Sequence, residues 1–213
     1  MKRAVFAIML LLGVHSVCIA QGIPDDVYYL MPSFGQGIIF FNGQAPAQGR
    51  LNICAVDNTL RFIDKSGKEL SATNDENIVR VQIDSVVFMR DGGLYYRLYP
   101  VTPNFGVAVL REVSLQGESM QGAYGTETKT SAVKQYKTIY ADGVAYNLGP
   151  ATEYKMTERL FMYKGNTMAA FNKRNLRKML PRKKAEIDAY FASDNSLPDT
   201  APEAVALLSG WAE

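Results

Sequence analysis

From Val27 to about Phe171 the apolar positions come in short runs, separated by glycine, asparagine and aspartate. "VYYLM" (27–31) and "GIIFF" (37–41) are β-branched and aromatic, and Asn42-Gly43 after them marks a tight turn. "ENIVRVQID" alternates, with Val79, Val81 and Ile83 on one face and Arg80, Gln82 and Asp84 on the other, as in a half-buried strand. "VVFMRDGGLYYRLYP" reads as a hairpin about Asp91-Gly92-Gly93, and "VAVLREV" as the next strand. Further turns are expected at Val56-Asp57-Asn58-Thr59, Lys65-Ser66-Gly67, Asp142-Gly143 and Gly165-Asn166. Short strands so closely punctuated predict an α+β protein of mostly antiparallel β structure, a small barrel or sandwich of short hairpins with a short helical C-terminal segment.

Residues 116–132, "QGESMQGAYGTETKTSA", lack Val, Ile, Leu and Phe. They read as a flexible loop within a β-rich domain of residues 21–171. After Phe171 the period changes. "NKRNLRKML" predicts a short helix capped by Asn172, and Pro181 is placed to start a second, with Ile187, Tyr190 and Phe191 on one face. Thr200 and Glu203 stand at capping-box spacing before a third helix. Val205, Leu208 and Trp211 line one side of that helix. Residues 172–213 are therefore expected to pack on the sheet or on a partner, with Val205, Leu208 and Trp211 as the candidate partner-docking stripe.

The N-terminus changes what the chain can do. Lys2 and Arg3, the apolar run Ala4–Val14, and Cys18 and Ala20 before Gln21 form a secretory signal peptide over residues 1–20, cleaved between Ala20 and Gln21. Val17 stands where a lipobox has a small residue, so lipid anchoring at Cys18 is not expected. Cleavage removes His15, the single histidine of the chain, and leaves Cys54 as the sole thiol. Of 23 basic residues two leave with the signal, so 21 face 21 acidic ones and the exported chain is near neutral. Without histidine there is no Ser-His or Cys-His nucleophile and no histidine-containing metal site. One cysteine makes no internal disulfide. Cys54, between Ile53 and Ala55, reads as a small buried apolar side chain. No other run is long enough for a transmembrane helix, and no cofactor motif is present.

The densest charge feature is Lys173, Arg174, Arg177, Lys178, Arg182, Lys183 and Lys184, seven cations in twelve positions. It is either a solvated helix face or a contact for an anionic envelope surface; nucleic acid is not an expected partner outside the cytoplasm. The aromatics Tyr28, Tyr29, Phe34, Phe40, Phe41, Tyr95, Tyr96 and Tyr99 are expected mostly in the core. Asp57, Asp64, Glu69, Asp75, Glu76 and Asp84 are the only acids dense enough for carboxylate chemistry, but most sit in turns, where Asp serves the backbone.

"YYLMPSFGQGIIFFNG" with "GRLNICAVDNTLRFIDKSGKEL", and "NLRKMLPRKKAEIDAYF" near the C-terminus, resemble uncharacterised exported proteins of Bacteroidetes bacteria. That family carries no assigned activity, so the resemblance implies an envelope location (the periplasm or the outer membrane) and transfers no catalytic residues. The early turn-rich segment also resembles small SH3-like or Sm-like barrels, a likeness of fold that licenses no function. The expected role is a non-catalytic cell-envelope protein contacting an unknown envelope protein or an anionic surface. The alternatives are a carboxylate-dependent glycan hydrolase and a small-ligand-binding β-barrel.

Overall fold

The computed structural model describes residues 25–72, 75–116, 120–121, 127–128, 153–193 and 195–211. The signal segment 1–20, the Asp142-Gly143 turn and most of 116–132 lie outside these. The described chain starts with one helical turn, α1 (Asp25–Tyr28), and a bridge from Tyr29 to Cys54. There follow β1 (Gly35–Phe41), β2 (Ala47–Ile53), β3 (Leu60–Ile63), β4 (Glu69–Ser71), β5 (Ile78–Ile83), β6 (Val86–Asp91), β7 (Leu94–Thr102) and β8 (Phe105–Gln116). A small ladder joins β9 (Met120–Gln121) to β10 (Glu127–Thr128). Then come β11 (Glu153–Lys164), β12 (Thr167–Ala170), α2 (Lys173–Met179), a 3-10 turn at Pro181–Lys183, α3 (Lys184–Ala192) and α4 (Ala201–Ser209).

Ten strands join one sheet in the order β12-β11-β8-β7-β6-β5-β1-β2-β3-β4, and every pair in it is antiparallel. The mostly antiparallel α+β class with a helical C-terminal segment is therefore the one observed. Neighbouring strands follow one another along the chain except at β1, which pairs with both β2 and β5, and at β8, which pairs with β11 beyond the β9–β10 ladder. This non-local pairing gathers the first hairpins and the later meander into one sheet, whose order has two ends, β12 and β4, among the described residues.

The turns explain the register. Asp91 pairs with Leu94 across Gly92 and Gly93, whose φ values of 57° and 85° suit the two-residue turn that matches strand twist. Gly165 (φ 59°) opens the β11–β12 turn. Asp84 takes φ 51° without being glycine. Its carboxylate accepts the Gln36 N–H at 3.1 Å and its own N–H donates to the Gln36 carbonyl at 2.8 Å, tying the β5–β6 turn to β1.

Two local expectations are corrected. "VYYLM" is no strand: Val27 and Tyr28 belong to α1, and only Tyr29 bridges to Cys54. In β5 the alternation breaks at its first turn of pleat. Phe40 pairs with Arg80 but Phe41 pairs with Ile78, so Val79 is the extra residue of a bulge. Ile78, Val81 and Ile83 are buried, and Val79 is 44% exposed.

Alternation distributes the apolar side chains over both faces of the sheet. One cluster holds Leu51, Ile53, Leu60, Ile78, Val81, Ile83, Phe88 and Tyr95. Tyr96, the next residue along β7, packs instead with Met89, Ala108, Leu110 and Tyr163. A third cluster joins Phe105, Val107, Val109 and Met162 of the sheet to Leu176, Met179, Ile187, Leu208 and Trp211 of the tail. The candidate docking stripe is thus used inside the molecule. Leu208 is fully buried, Trp211 is 8% exposed with its ring edge-on to Tyr190, and Val205 packs against the same cluster. Apolar side chains at helical spacing seek the nearest apolar surface, and the chain's own sheet supplies it. No described helix is long and apolar enough to cross a membrane.

Candidate anion-contact face

The seven cations of the tail lie on two short helices and the 3-10 turn between them, and the other sides of the helices are anchored. Asn172 caps α2: its side-chain oxygen accepts the Asn175 N–H at 2.9 Å. Asn175 in turn donates its side-chain amide to the Ala170 carbonyl at 2.9 Å, fixing the helix to β12. Leu176 and Met179 point into the core. Lys173, Arg174, Arg177 and Lys178 stand at positions i, i+1, i+4 and i+5 and share the other side. Pro181 lacks the N–H that α2 would need to continue, and it opens the 3-10 turn that leads into α3, which buries Ile187.

Asp188 on α3 links the two helices. It accepts from Arg177 at 2.7 Å and faces the Lys173 ammonium at 3.6 Å. Lys173 also lies 5.3 Å from the ring centroid of Phe191. The helices enclose an open depression of about 640 Å³ lined by Lys173, Arg174, Arg177, Lys178, Pro181 and Lys184. The structure therefore brings five of the seven cations to one depression, and two of them, Lys173 and Arg177, to Asp188. Arg182 is exposed outside the depression, and Lys183 is half-buried and paired with Glu186 at 3.2 Å. Among the described residues no carboxylate pairs with Arg174, Lys178, Arg182 or Lys184.

Part of this charge is accounted for by the helices. Arg177 and Lys178 occupy the last turn of α2, where the dipole favours cations. The rest is not. Lys173 with Arg177, and Arg174 with Lys178, are like charges at i,i+4, which repel. Arg182, Lys183 and Lys184 stand at the start of α3, where the dipole favours anions and Glu186 is the first-turn acid. An external anion would relieve both conflicts.

The other sequence candidates resolve into structure. Cys54 is fully buried, and burial, with Asp57 nearby, pushes its thiol up to about 12. Asp57 accepts from the Thr59 backbone and hydroxyl and pairs with the buried Arg61 guanidinium. The exposed Asp64 carboxylate accepts from the Ser66 hydroxyl and the Ser66 and Lys68 N–H groups, which hold its pKa below the ordinary carboxylate value. Glu69 accepts from the Tyr29 hydroxyl at 2.7 Å; burial and that hydrogen bond push the phenol above its ordinary range. Asp57, Asp64 and Asp84 thus each hold their own turn, and Glu76 is exposed. No group of three or more metal-ligating side chains occurs among the described residues. Tyr95 and Tyr96 are buried, and Tyr28, Tyr29, Phe34, Phe40, Phe41 and Tyr99 are partly buried. Asp188 was not legible as a site residue, because nothing in the sequence says that it lies across a proline turn from Arg177.

No family model, curated protein or solved structure matches this chain.

Proposed function

We propose that this is a non-catalytic protein of the cell envelope, exported by its N-terminal signal, in which a β platform presents the α2–α3 pair as its contact element. The observation that carries this reading is the face built by Lys173, Arg174, Arg177, Lys178 and Lys184, stapled by Asp188 and fixed from beneath by Leu176, Met179 and Ile187. Sequence resemblance to exported Bacteroidetes proteins supports the location. The platform is a small barrel or sandwich in this reading. What supports it is one apolar face continuous from Leu60 of β3 to Tyr95 of β7, which such a platform would fold inward.

The test is cross-linking in the native envelope, comparing the unaltered protein with a variant carrying Arg174→Glu, Lys178→Glu, Arg182→Glu and Lys184→Glu. These side chains are without described partners, so the fold should melt within a few degrees of the original. The expected result is a defined envelope component captured by the first protein and lost from the second. Equal capture by both would remove the basic face from the function.

A further inference from the structure

We propose that the occupant of the α2–α3 face is the phosphate plane of an anionic lipid bilayer, bound peripherally and without insertion. This rests on the reading of that face as the contact element. It adds the chemical class of the partner.

Three observations favour a charged plane. The first is the distribution of charge. Arg174, Lys178, Arg182 and Lys184 extend from α2 across the proline turn to α3 and have no carboxylate partner among the described residues. A single small anion could not touch them all, whereas a lattice of headgroup phosphates can. The second is the shape. The depression is open, and the two cations held most firmly in it, Lys173 and Arg177, already share Asp188. It is therefore not a closed cradle that strips one phosphate of water.

The third is the absence of an apolar anchor. Protein interfaces are depleted in lysine and centre on buried aromatic or aliphatic side chains. Among the described residues the exposed large apolar side chains are Val79, Tyr154 and Met156, all on strands. The tail's apolar side chains, Leu176, Met179, Ile187, Leu208 and Trp211, face the sheet. A face of cations with no exposed large apolar side chain among the described residues suits electrostatic adsorption. A wedge into the acyl region needs an exposed apolar stripe, and none stands on this face among the described residues. The cations at the start of α3, unfavourable beside the helix dipole in the free protein, are relieved by a negative plane.

The experiment is co-sedimentation of the purified mature chain with phosphatidylcholine vesicles, with and without phosphatidylglycerol. Binding is expected only with phosphatidylglycerol. It should be lost at about 1 M salt, where the Debye length falls to about 3 Å. Each cation removed should weaken binding roughly fivefold, so Lys178→Gln with Lys184→Gln should cost at least tenfold. Equal binding to both vesicles, or binding that survives about 1 M salt, would overturn the proposal. Inorganic phosphate should displace the protein no better than chloride at equal ionic strength; stronger displacement would assign the face to a discrete phosphate instead. Tighter binding to polyglutamate than to phosphatidylglycerol vesicles would assign it to an acidic protein. If envelope cross-linking still depends on the four cations while phosphatidylglycerol is ignored, the bilayer falls and the contact reading stands. If neither depends on them, both fall.

Discussion

At the scale of single residues, the polar side chains that matter most are those that close the fold. Asn52 is fully buried in β2. Its amide donates to the Met31 carbonyl at 2.9 Å, and its oxygen accepts from the N–H groups of Met31 at 3.1 Å and Ile53 at 2.8 Å. It pins the chain before β1 to β2. Asn52→Leu keeps the branching of the side chain but leaves three backbone groups without their partner. The expected loss is about 2–4 kcal/mol by denaturant titration, from roughly 1–3 kcal/mol per unsatisfied buried group partly recovered by water. Unchanged stability would mean that Asn52 is no staple. Cys54 makes the converse case. Its folded pKa of about 12 lies above the ordinary thiol value, so its contribution to stability is complete below about pH 8.5 and is lost as pH rises toward 12. The native thiol should resist a disulfide reagent at pH 8 and react once guanidinium unfolds the chain. Cys54→Ala should lose less stability than the unaltered protein between pH 7 and 10; an equal loss would assign the alkaline effect to other groups. The burial of Cys54 was legible because Ile53 and Ala55 flank it in an apolar run. The role of Asn52 was not, since an asparagine between Leu51 and Ile53 carries no sign of a partner twenty-one residues earlier.

Among the elements, local signals were read well and their interruptions were not. The Thr200–Glu203 capping box is present: the Thr200 hydroxyl accepts the Glu203 N–H, and the Glu203 carboxylate accepts the Thr200 N–H. Thr200→Ala should cost about 1 kcal/mol, seen as a lower melting temperature with α4 still docked. A loss below about 0.3 kcal/mol would show that core packing alone sets the start of α4, since such caps ordinarily contribute more. The bulge at Val79 could not be read, because it arises from β1, a strand some forty residues earlier, and the local pattern of β5 alternates without a break. The β7–β8 connection hides a similar constraint. The pairing shifts between Pro100 and Thr102, and a Cβ on Gly106 would lie 2.3 Å from the Tyr99 carbonyl oxygen. Gly106→Ala must push two backbones apart, and a loss of about 1–3 kcal/mol is expected by thermal unfolding. A neutral outcome would show that the strands separate there without cost.

For the whole molecule, the decisive question is whether the helical tail is a separable docking arm or part of the core. Periodicity showed that Val205, Leu208 and Trp211 form a stripe, but a stripe is silent about which apolar surface will cover it. The same limit applied to the hairpins. Those about Asn42-Gly43, Asp91-Gly92-Gly93 and Gly165-Asn166 were legible from their turn residues, while the pairing of β1 with β5, which unites the sheet, spans too much chain to leave a local trace. The tail covers Phe105, Val107, Val109 and Met162, four sheet residues that are at most 6% exposed. It contributes Leu176, Met179, Ile187, Leu208 and Trp211 to the same cluster. At about 1.5–3 kcal/mol per fully buried large apolar side chain, five such residues offer on the order of 10 kcal/mol. That is comparable with the whole stability of an ordinary domain, about 5–15 kcal/mol. The basic face therefore cannot be tested by cutting the tail away. A chain ending at Ala170 should expose the covered strands, bind a hydrophobic dye and aggregate, with no cooperative melting transition. Should it instead stay monomeric and melt cooperatively near the full-length temperature, the tail would be an arm held loosely on an independent β domain. Its cations would then be free to move toward a partner, and would no longer be held by the core as a fixed face.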